Sequence, residues 1–283
     1  MEVKIVGVVG CGQMGGDIAQ ISAQSGYQVV VSEINNELLN KGLASINSSL
    51  TKSIEKERIT LADKEAALAR IKGTIDFKDF GDCALVIEAA IENLDLKKKI
   101  FTELDRVCPK QTILATNTSC LPIIEMAMAT GRPDRVLGLH FFNPATVMKL
   151  MEVIRTIVTS DEAVKVGRDF SQSLGKTTII ARDAPCFIVN RLLVPQLLSA
   201  IGMLEDGVAT REDIDTGLTL GLGHPIGPLA LSDLVGLDTL LFIANSTYNE
   251  FKDPQFAPPV LLAKMVAAGW LGRKTGKGFY DYK

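Results

Sequence analysis

A glycine-rich segment between a strand and a helix constrains the fold of this chain more than any other feature. Val3 to Val9 is a short apolar run, and Gly10-Cys11-Gly12-Gln13-Met14-Gly15 follows it directly. Apolar side chains at helical spacing then continue up to Gly26. In this context Gly-x-Gly-x-x-Gly predicts a tight turn that brings the N-terminus of a helix close to a pyrophosphate. We therefore expect Gly10, Gly12, Gln13, Met14 and Gly15 to bind a dinucleotide.

The choice of dinucleotide depends on Glu33. A second apolar run, Gln28 to Ser32, ends in Glu33, about 20 residues beyond the glycines, where an acidic group binds the ribose 2′-hydroxyl. A carboxylate there repels a 2′-phosphate, so NAD is predicted and NADP is disfavoured. The alternative, a glycine turn with an incidental glutamate, leaves the strand–turn–helix–strand order without an explanation.

Further buried strands predict a parallel sheet. Cys83 to Glu88 and Thr112 to Thr116 are apolar runs separated by helical patterns, and the stretch from Glu37 to about Ile71 is helical with a break near Arg58. This alternation indicates an α/β fold with a Rossmann-type, doubly wound sheet, which binds ligands at the carboxyl ends of its strands. Glu92, Asn117, Ser119 and His140 are then expected along one crevice with the glycine loop. Taken alone, Asn117 or Ser119 is better explained by a helix cap or an Asx turn.

The C-terminal part of the chain has a different character. After a last strand, Thr177 to Ile180, residues 181–185 are interpreted as a linker, and leucine-rich helical patterns follow. We expect an NAD-binding domain at residues 1–184 and an all-α domain at residues 185–283, which serves substrate binding and dimerisation. Asn190 falls in the first turn of the first of these helices, from which it would complete a site in a crevice between the domains. The apolar helices favour a homodimer or a higher homo-oligomer.

His140 and Glu152 are the candidates for proton transfer. His140 follows the apolar run Arg135 to Leu139 and precedes an Asn-Pro turn, and Glu152 lies in the next apolar run, Leu150 to Ile154. If the two runs lie side by side, the carboxylate fixes the imidazole tautomer and stabilises the imidazolium. These residues alone are equally consistent with a core histidine that bonds a glutamate. The other histidine, His224, lies among glycines and prolines and is interpreted as structural.

Lys52 and Lys56 lie one helical turn apart, away from the apolar stripe of their helix. Like charges at this spacing destabilise a helix unless an anion lies between them. The pair could hold a phosphate, but a solvated face balanced by Glu55 and Glu57 is the commoner explanation of this spacing.

Composition excludes several other classes of protein. The net charge is −3 with both signs interspersed, which argues against nucleic acid as the main partner. The five cysteines are scattered and contain no Cys-x-x-Cys pair, so neither a disulfide framework nor a metal site is expected. No apolar run has membrane-spanning length, and the N-terminus has no secretory signal pattern. These features predict a cytoplasmic protein without a membrane partner.

Taken together, the motifs resemble those of the short-chain L-3-hydroxyacyl-CoA dehydrogenase family, especially its bacterial 3-hydroxybutyryl-CoA branch. The similarity covers essentially the whole chain. It is carried by the glycine loop, Ile87-Glu88-Ala89-Ala90, Asn117-Thr118-Ser119, His140-Phe141-Phe142-Asn143-Pro144, Met148-Lys149-Leu150-Met151-Glu152, Val189-Asn190-Arg191, Gly223-His224-Pro225-Ile226-Gly227-Pro228, and the segment from Gly269 to Tyr280.

The resemblance implies an NAD-dependent enzyme that interconverts acetoacetyl-CoA and (S)-3-hydroxybutyryl-CoA, in butyrate metabolism or in fatty-acid oxidation. His140 is then the general base in oxidation and the acid in reduction, and Glu152 orients it. Ser119 and Asn190 match substrate contacts and complete the predicted catalytic set. Lys52 and Lys56 match residues near the CoA phosphates, which favours the phosphate interpretation of this pair. The matches to dinucleotide contacts are Glu33, Glu92, Lys97, Asn117, Asn143 and Lys274.

Two positions depart from the family pattern. Cys11 stands where a small residue such as alanine is usual, and Glu33 replaces the more usual aspartate. Because glutamate is one methylene longer, contact with the ribose should survive.

Two rival functions remain at this point: a related dehydrogenase that acts on a free hydroxy acid such as gulonate, and a catalytically silent, crystallin-like dinucleotide-binding protein. The four catalytic candidates speak against the silent protein.

Overall fold

The structure, a computed structural model, describes residues 2–282 and divides them into two compact units. The first unit ends at Ala184, and the second begins at Pro185.

The first unit is built on one sheet. Its strands are β1 (Ile5–Val9), β2 (Gln28–Ser32), β3 (Ile71–Thr74), β4 (Leu85–Glu88), β5 (Ile113–Thr116), β6 (Val136–Phe141), β7 (Leu150–Arg155) and β8 (Thr177–Arg182). Within residues 2–282 these eight strands pair in the order β3-β2-β1-β4-β5-β6-β7-β8. All neighbours are parallel except β6 and β7, which are antiparallel. The predicted Rossmann-type α/β fold is confirmed.

Helices cover both faces of this sheet. They are α1 (Gln13–Gln24), α2 (Asn36–Glu55), α3 (Leu61–Ala69), α4 (Leu94–Val107), α5 (Ile123–Ala127) and α6 (Asp161–Ser173). Apolar residues of α1, α2 and α6 form one continuous core with alternate residues of the strands. On the other face α4 packs against α5, which in turn packs against β6. The central strands are therefore buried on both sides, as their nearly continuous apolar sequences indicate.

The predicted break in the second helical stretch is confirmed by its capping. α3 starts with a reciprocal box, in which the Thr60 side chain accepts from the Asp63 N–H and the Asp63 carboxylate accepts from the Thr60 N–H. This arrangement satisfies two N–H groups that a helix start otherwise leaves unpaired. Leu39, Ile46 and Leu50 of α2 are buried as the predicted stripe.

The structure corrects three local predictions. Ile71 was expected at the end of a helix but begins the edge strand β3, because pairing with β2 overrides a weak local pattern that includes Gly73. The predicted linker begins too early, since Ala181 and Arg182 belong to β8. His140 lies inside β6 rather than just beyond the strand, because pairing with β7 extends the ladder through Phe141.

The second unit consists mainly of helices, as predicted. They are α7 (Val189–Glu205), α8 (Arg211–Leu222), α9 (Pro228–Val235), α10 (Leu237–Phe251) and α11 (Val260–Ala267). The buried carboxylate of Asp233 ties the C-terminal segment to α9 by accepting from the N–H groups of Phe279 and Tyr280 and from the Tyr282 hydroxyl.

Within residues 2–282, no single helix is long and apolar enough to cross a bilayer. Taken together, α9 and α10 reach the required length and composition, but they form a pair bent by 95°.

Candidate active site

The glycine loop between β1 and α1 has the shape that its sequence predicts. Gly10 has φ +93°, and a Cβ there would lie 2.8 Å from the Ala89 carbonyl oxygen. A Cβ at Gly15 would lie 1.9 Å from the Gly10 carbonyl oxygen, whereas one at Gly12 would meet nothing within 4 Å. In the described residues no side chain caps the start of α1. The loop is thus packed tightly at Gly10 and Gly15 and open at Gly12, where backbone N–H groups can hold a pyrophosphate.

Glu33 lies against this loop. Its carboxylate accepts hydrogen bonds from the N–H of Cys11 at 2.8 Å and from the N–H of Ile34 at 3.0 Å. A fixed negative charge therefore stands at the carboxyl end of β2, where a ribose 2′-hydroxyl is expected. This geometry fits a nicotinamide dinucleotide.

The Cys11 side chain is buried beneath the loop. Burial, and to a lesser extent the charge of Glu33, raises the pKa of the thiol to about 11. A Cβ at position 42 would lie 2.3 Å from the Cys11 sulfur, so the glycine there makes room for the larger residue. The departure from the family pattern at Cys11 is thus accommodated by Gly42.

A buried ionic cluster lies at the carboxyl end of β4. Lys97 is 1% exposed, and its Nζ lies 2.6 Å from Glu88 Oε1, 3.2 Å from Glu92 Oε2 and 3.3 Å from the Ala90 carbonyl oxygen. Glu88 is fully buried and also accepts from the Thr116 hydroxyl at 2.7 Å. Sequence reasoning missed Glu88, although a carboxylate that ends a buried strand was an available signal. Contact between Lys97 and the dinucleotide stays a prediction.

The segment after β5 joins this cluster to β6. Glu92 Oε1 accepts from the Ser119 N–H at 3.0 Å and from the Thr118 hydroxyl. Asn117 Oδ1 accepts from the Phe141 N–H at 2.9 Å, so its side chain bonds a neighbouring strand rather than capping a helix. Residues 117–119 are therefore fixed on one side by the ionic cluster and on the other by the strand that carries His140.

His140 and Glu152 face each other across the antiparallel pair β6–β7, in direct register. His140 Nδ1 lies 2.6 Å from Glu152 Oε2, and the two side chains are 4% and 0% exposed. The Phe142 ring stacks at a tilt, 4.7 Å from the imidazole. The carboxylate favours the tautomer with the proton on Nδ1, which makes Nε2 the basic nitrogen of the neutral ring. The predicted pairing of the two runs is found.

Asn143 follows in the loop between β6 and β7, where its Oδ1 accepts from Gln13 Nε2 at 2.9 Å. Two predicted cofactor residues from distant parts of the chain are thus in contact. Met14, next to Gln13, is half-buried and packs against the core of the first unit.

The remaining predicted residues belong to other elements of the fold. Lys52 and Lys56 are exposed at the C-terminal end of α2. Asn190 lies in the first turn of α7, and the Lys274 Nζ lies 2.5 and 2.6 Å from the carboxylate oxygens of Asp238, both in the second unit. Their roles toward substrate and cofactor stay predictions. Among residues 2–282, no group of three or more His, Cys, Asp or Glu side chains is arranged to hold a metal ion.

Comparisons with known proteins agree with this geometry. The profile for the "3-hydroxyacyl-CoA dehydrogenase, NAD binding domain" matches residues 5–184, and that for the "3-hydroxyacyl-CoA dehydrogenase, C-terminal domain" matches residues 187–282. A 3-hydroxybutyryl-CoA dehydrogenase of Mycobacterium tuberculosis is 48% identical over 282 residues, covering 99% of each chain. The crystal structure of (S)-3-hydroxybutyryl-CoA dehydrogenase from Ralstonia eutropha superposes with a TM-score of 0.95 at 47% identity, covering 100% of both chains.

Proposed function

The chain belongs to the 3-hydroxyacyl-CoA dehydrogenase family, and from that premise we propose that it interconverts acetoacetyl-CoA and (S)-3-hydroxybutyryl-CoA with NAD as the cofactor. The observation that carries the proposal is the buried His140–Glu152 pair, held in register between β6 and β7 in the same unit as an open dinucleotide loop. The relatives named above support the substrate, because both are 3-hydroxybutyryl-CoA dehydrogenases.

The chemistry follows from the positions of these groups. When bound, the nicotinamide accepts or supplies the hydride at C3 of the acyl chain. His140 Nε2 takes the proton of the 3-hydroxyl in oxidation and returns one to the 3-oxygen in reduction. Glu152 holds the ring by Nδ1 and stabilises the imidazolium that forms, so it acts as a partner of His140 rather than as a second acid. Ser119 is proposed to donate to the 3-oxygen as negative charge develops there.

The direct test of the proposed function is NADH oxidation by acetoacetyl-CoA, compared with NADPH, with longer 3-ketoacyl-CoAs and with free acetoacetate. Rapid turnover of acetoacetyl-CoA with NADH supports the proposal. Equal turnover of free acetoacetate would instead favour a dehydrogenase for free hydroxy acids, and no turnover with any pair would favour the silent binding protein.

The preference for NAD is proposed to rest on the Glu33 carboxylate. Replacing Glu33 by alanine should raise the KM for NADH by about 10- to 100-fold, because a hydrogen bond to a charged group is lost. The KM for acyl-CoA should stay unchanged, and discrimination against NADPH should fall. Glu33→Gln is the matched control, since it keeps an oxygen for the Cys11 N–H but lacks the charge. An effect of Glu33→Ala on the KM for acyl-CoA alone would contradict the ribose role.

Lys52 and Lys56 are proposed to bind the phosphates of CoA. The double variant Lys52→Glu/Lys56→Glu should raise the KM for acetoacetyl-CoA by about 3- to 10-fold, because two exposed ion pairs become repulsive contacts. That KM should also rise less steeply with added salt than in the unchanged protein. Steady-state kinetics at two ionic strengths measure both effects.

A charge-matched control separates contact from net charge. Lys78→Glu/Lys110→Glu alters two exposed lysines elsewhere in the first unit and should leave this KM nearly constant. If the two double variants behave alike, the phosphate role of Lys52 and Lys56 is wrong.

We also propose a homodimer, or a higher homo-oligomer, formed through the helices of the second unit. Leu192 on α7 is 74% exposed, and Leu220 and Leu222 on α8 are 82% and 70% exposed. Exposed apolar side chains of this size favour burial against a second copy. Light scattering after size-exclusion chromatography measures the subunit number. The cytoplasmic location stays a prediction.

A further inference from the structure

The loop between β6 and β7 (residues 142–149, hereafter the β6–β7 loop) is held by charged side chains that the proposed mechanism does not use. Ala145 lies at its centre and is fully buried. The Ala145 N–H donates to Asp17 Oδ2 at 2.9 Å, and the Ala145 carbonyl accepts from Lys176 Nζ at 2.7 Å. One peptide segment is therefore bound by a carboxylate on its N–H and by an ammonium on its carbonyl.

The anchoring groups come from two different elements. Asp17 and Gln13 lie one turn apart on α1, and Gln13 holds Asn143 of the same loop. Lys176 directly precedes β8 and also donates to the Met148 carbonyl at 2.6 Å. The loop that follows His140 is thus attached to the helix whose N-terminus forms the dinucleotide loop.

Both charges are partly removed from water. Burial raises the pKa of Asp17, and the N–H groups of Ala145 and Thr146 oppose this shift. Burial lowers the pKa of Lys176, and the charge of Asp17 opposes this shift. Desolvated charges are costly for a fold and are tolerated where hydrogen bonds fully satisfy them. A loop whose position did not matter would not need desolvated charges such as those of Asp17 and Lys176 to hold it.

We propose that Asp17 and Lys176 are positioning residues for the dehydrogenase reaction: Asp17 fixes the β6–β7 loop to α1, Lys176 fixes it to the start of β8, and together they hold His140 in register with a bound nicotinamide. The inference rests on the proposed function. It adds a physical connection between the cofactor helix and the proton-transferring strand, which His140 and Glu152 alone do not provide. Loosening this connection should displace the reacting groups by no more than about 1 Å without removing any of them.

The first readout does not depend on activity. In Asp17→Ala the amides of Ala145 and Thr146 lose their acceptor, so their hydrogen exchange should become faster, whereas amides of the central strand β5 should exchange as before. Asp17→Asn retains an acceptor oxygen and should restore slow exchange. Unchanged exchange at Ala145 and Thr146 in Asp17→Ala would overturn the anchoring role.

The second readout separates positioning from binding. Asp17→Ala should lower kcat by about 10- to 100-fold, the range expected for a misplacement of reacting groups. The KM for NADH should stay within about a factor of two, because the pyrophosphate loop keeps its own contacts. Lys176→Met should give a similar loss, and the double variant should lose little more than either single variant, because both hold one loop. Asp169→Ala, which removes an exposed carboxylate paired with Lys165 on α6, is the control.

Each outcome has a separate meaning. A kcat for Asp17→Ala equal to that of Asp169→Ala, or a loss of kcat matched by an equal loss of NADH binding, would overturn the positioning role. If Asp17→Ala does not fold, Lys176→Met takes its place in the comparison of kcat with Asp169→Ala, and Asp17→Asn remains the variant expected to keep the anchor. A wild-type protein that does not reduce acetoacetyl-CoA would contradict the proposed function instead, and the exchange measurement would still decide whether the anchor exists.

Discussion

His140→Asn is expected to lower kcat by about 10²–10⁴-fold, the usual contribution of a general acid–base group. Asparagine has a similar size and can still donate to Glu152, but it cannot take up and release a proton near neutral pH. Binding of NADH should stay close to that of the unchanged protein, because the dinucleotide contacts proposed above do not include His140. Steady-state oxidation of NADH by saturating acetoacetyl-CoA gives kcat, and NADH fluorescence gives the dissociation constant.

The chain offers a matched control for this experiment. His224→Asn changes the other histidine, which lies at the end of α8 in the second unit, and should leave turnover near that of the unchanged protein. The turnover of Glu152→Gln should lie between those of His140→Asn and His224→Asn. The variant keeps an acceptor for His140 Nδ1 but removes the charge that stabilises the imidazolium. Turnover of His140→Asn equal to that of His224→Asn would remove His140 from the mechanism.

Lys97→Met is expected to lower the free energy of unfolding of the first unit by about 3–5 kcal/mol, the cost of breaking a buried ion pair from one side. Lys97 Nζ lies 2.6 Å from Glu88 Oε1, and the two side chains are 1% and 0% exposed. Without the ammonium, Glu88 is left as an uncompensated charge inside the protein. Denaturant unfolding followed by circular dichroism measures the change.

The adjacent residue provides the control for this prediction. Lys98 on α4 forms an ion pair with Glu125 at 2.8 Å, but the two side chains are 38% and 47% exposed. Lys98→Met should therefore lower the free energy of unfolding by no more than about 1 kcal/mol. Adding Glu88→Gln to Lys97→Met should recover part of the stability, because it removes the unpaired charge. Equal losses in Lys97→Met and Lys98→Met would refute the buried-pair argument. The KM for NADH in Lys97→Met separately tests the predicted cofactor role.

The residues that could be predicted from sequence are those whose chemistry depends on local order. A strand, three glycines, a helix and a second strand ending in Glu33 specify a dinucleotide loop, because each glycine is needed within a few residues of the others. His140 and Glu152 were predictable as a pair because a single loop separates two apolar runs. The fold class followed for the same reason, since alternating strands and helices have few compact arrangements.

Local order did not predict contacts between side chains of different elements of the fold. In the sequence, Glu88 is the end of a strand and Lys97 is one of three consecutive lysines. Only the packing of the fold buries the two side chains together. The strand β3 was missed because its pattern is weak and its pairing with β2 decides it. Asp17 and Lys176 are separated by most of the first unit, yet both bind Ala145.

The sequence alone determined the type of fold, the dinucleotide loop and the histidine–glutamate pair, because local spacing and the alternation of strands and helices carry that information. Tertiary structure alone decided which charges are buried and how the loop after His140 is attached to α1. It also decided which side chains position the residues of the site. The physical reason is that desolvation and long-range hydrogen bonds depend on distances that the spacing of residues along a chain does not encode.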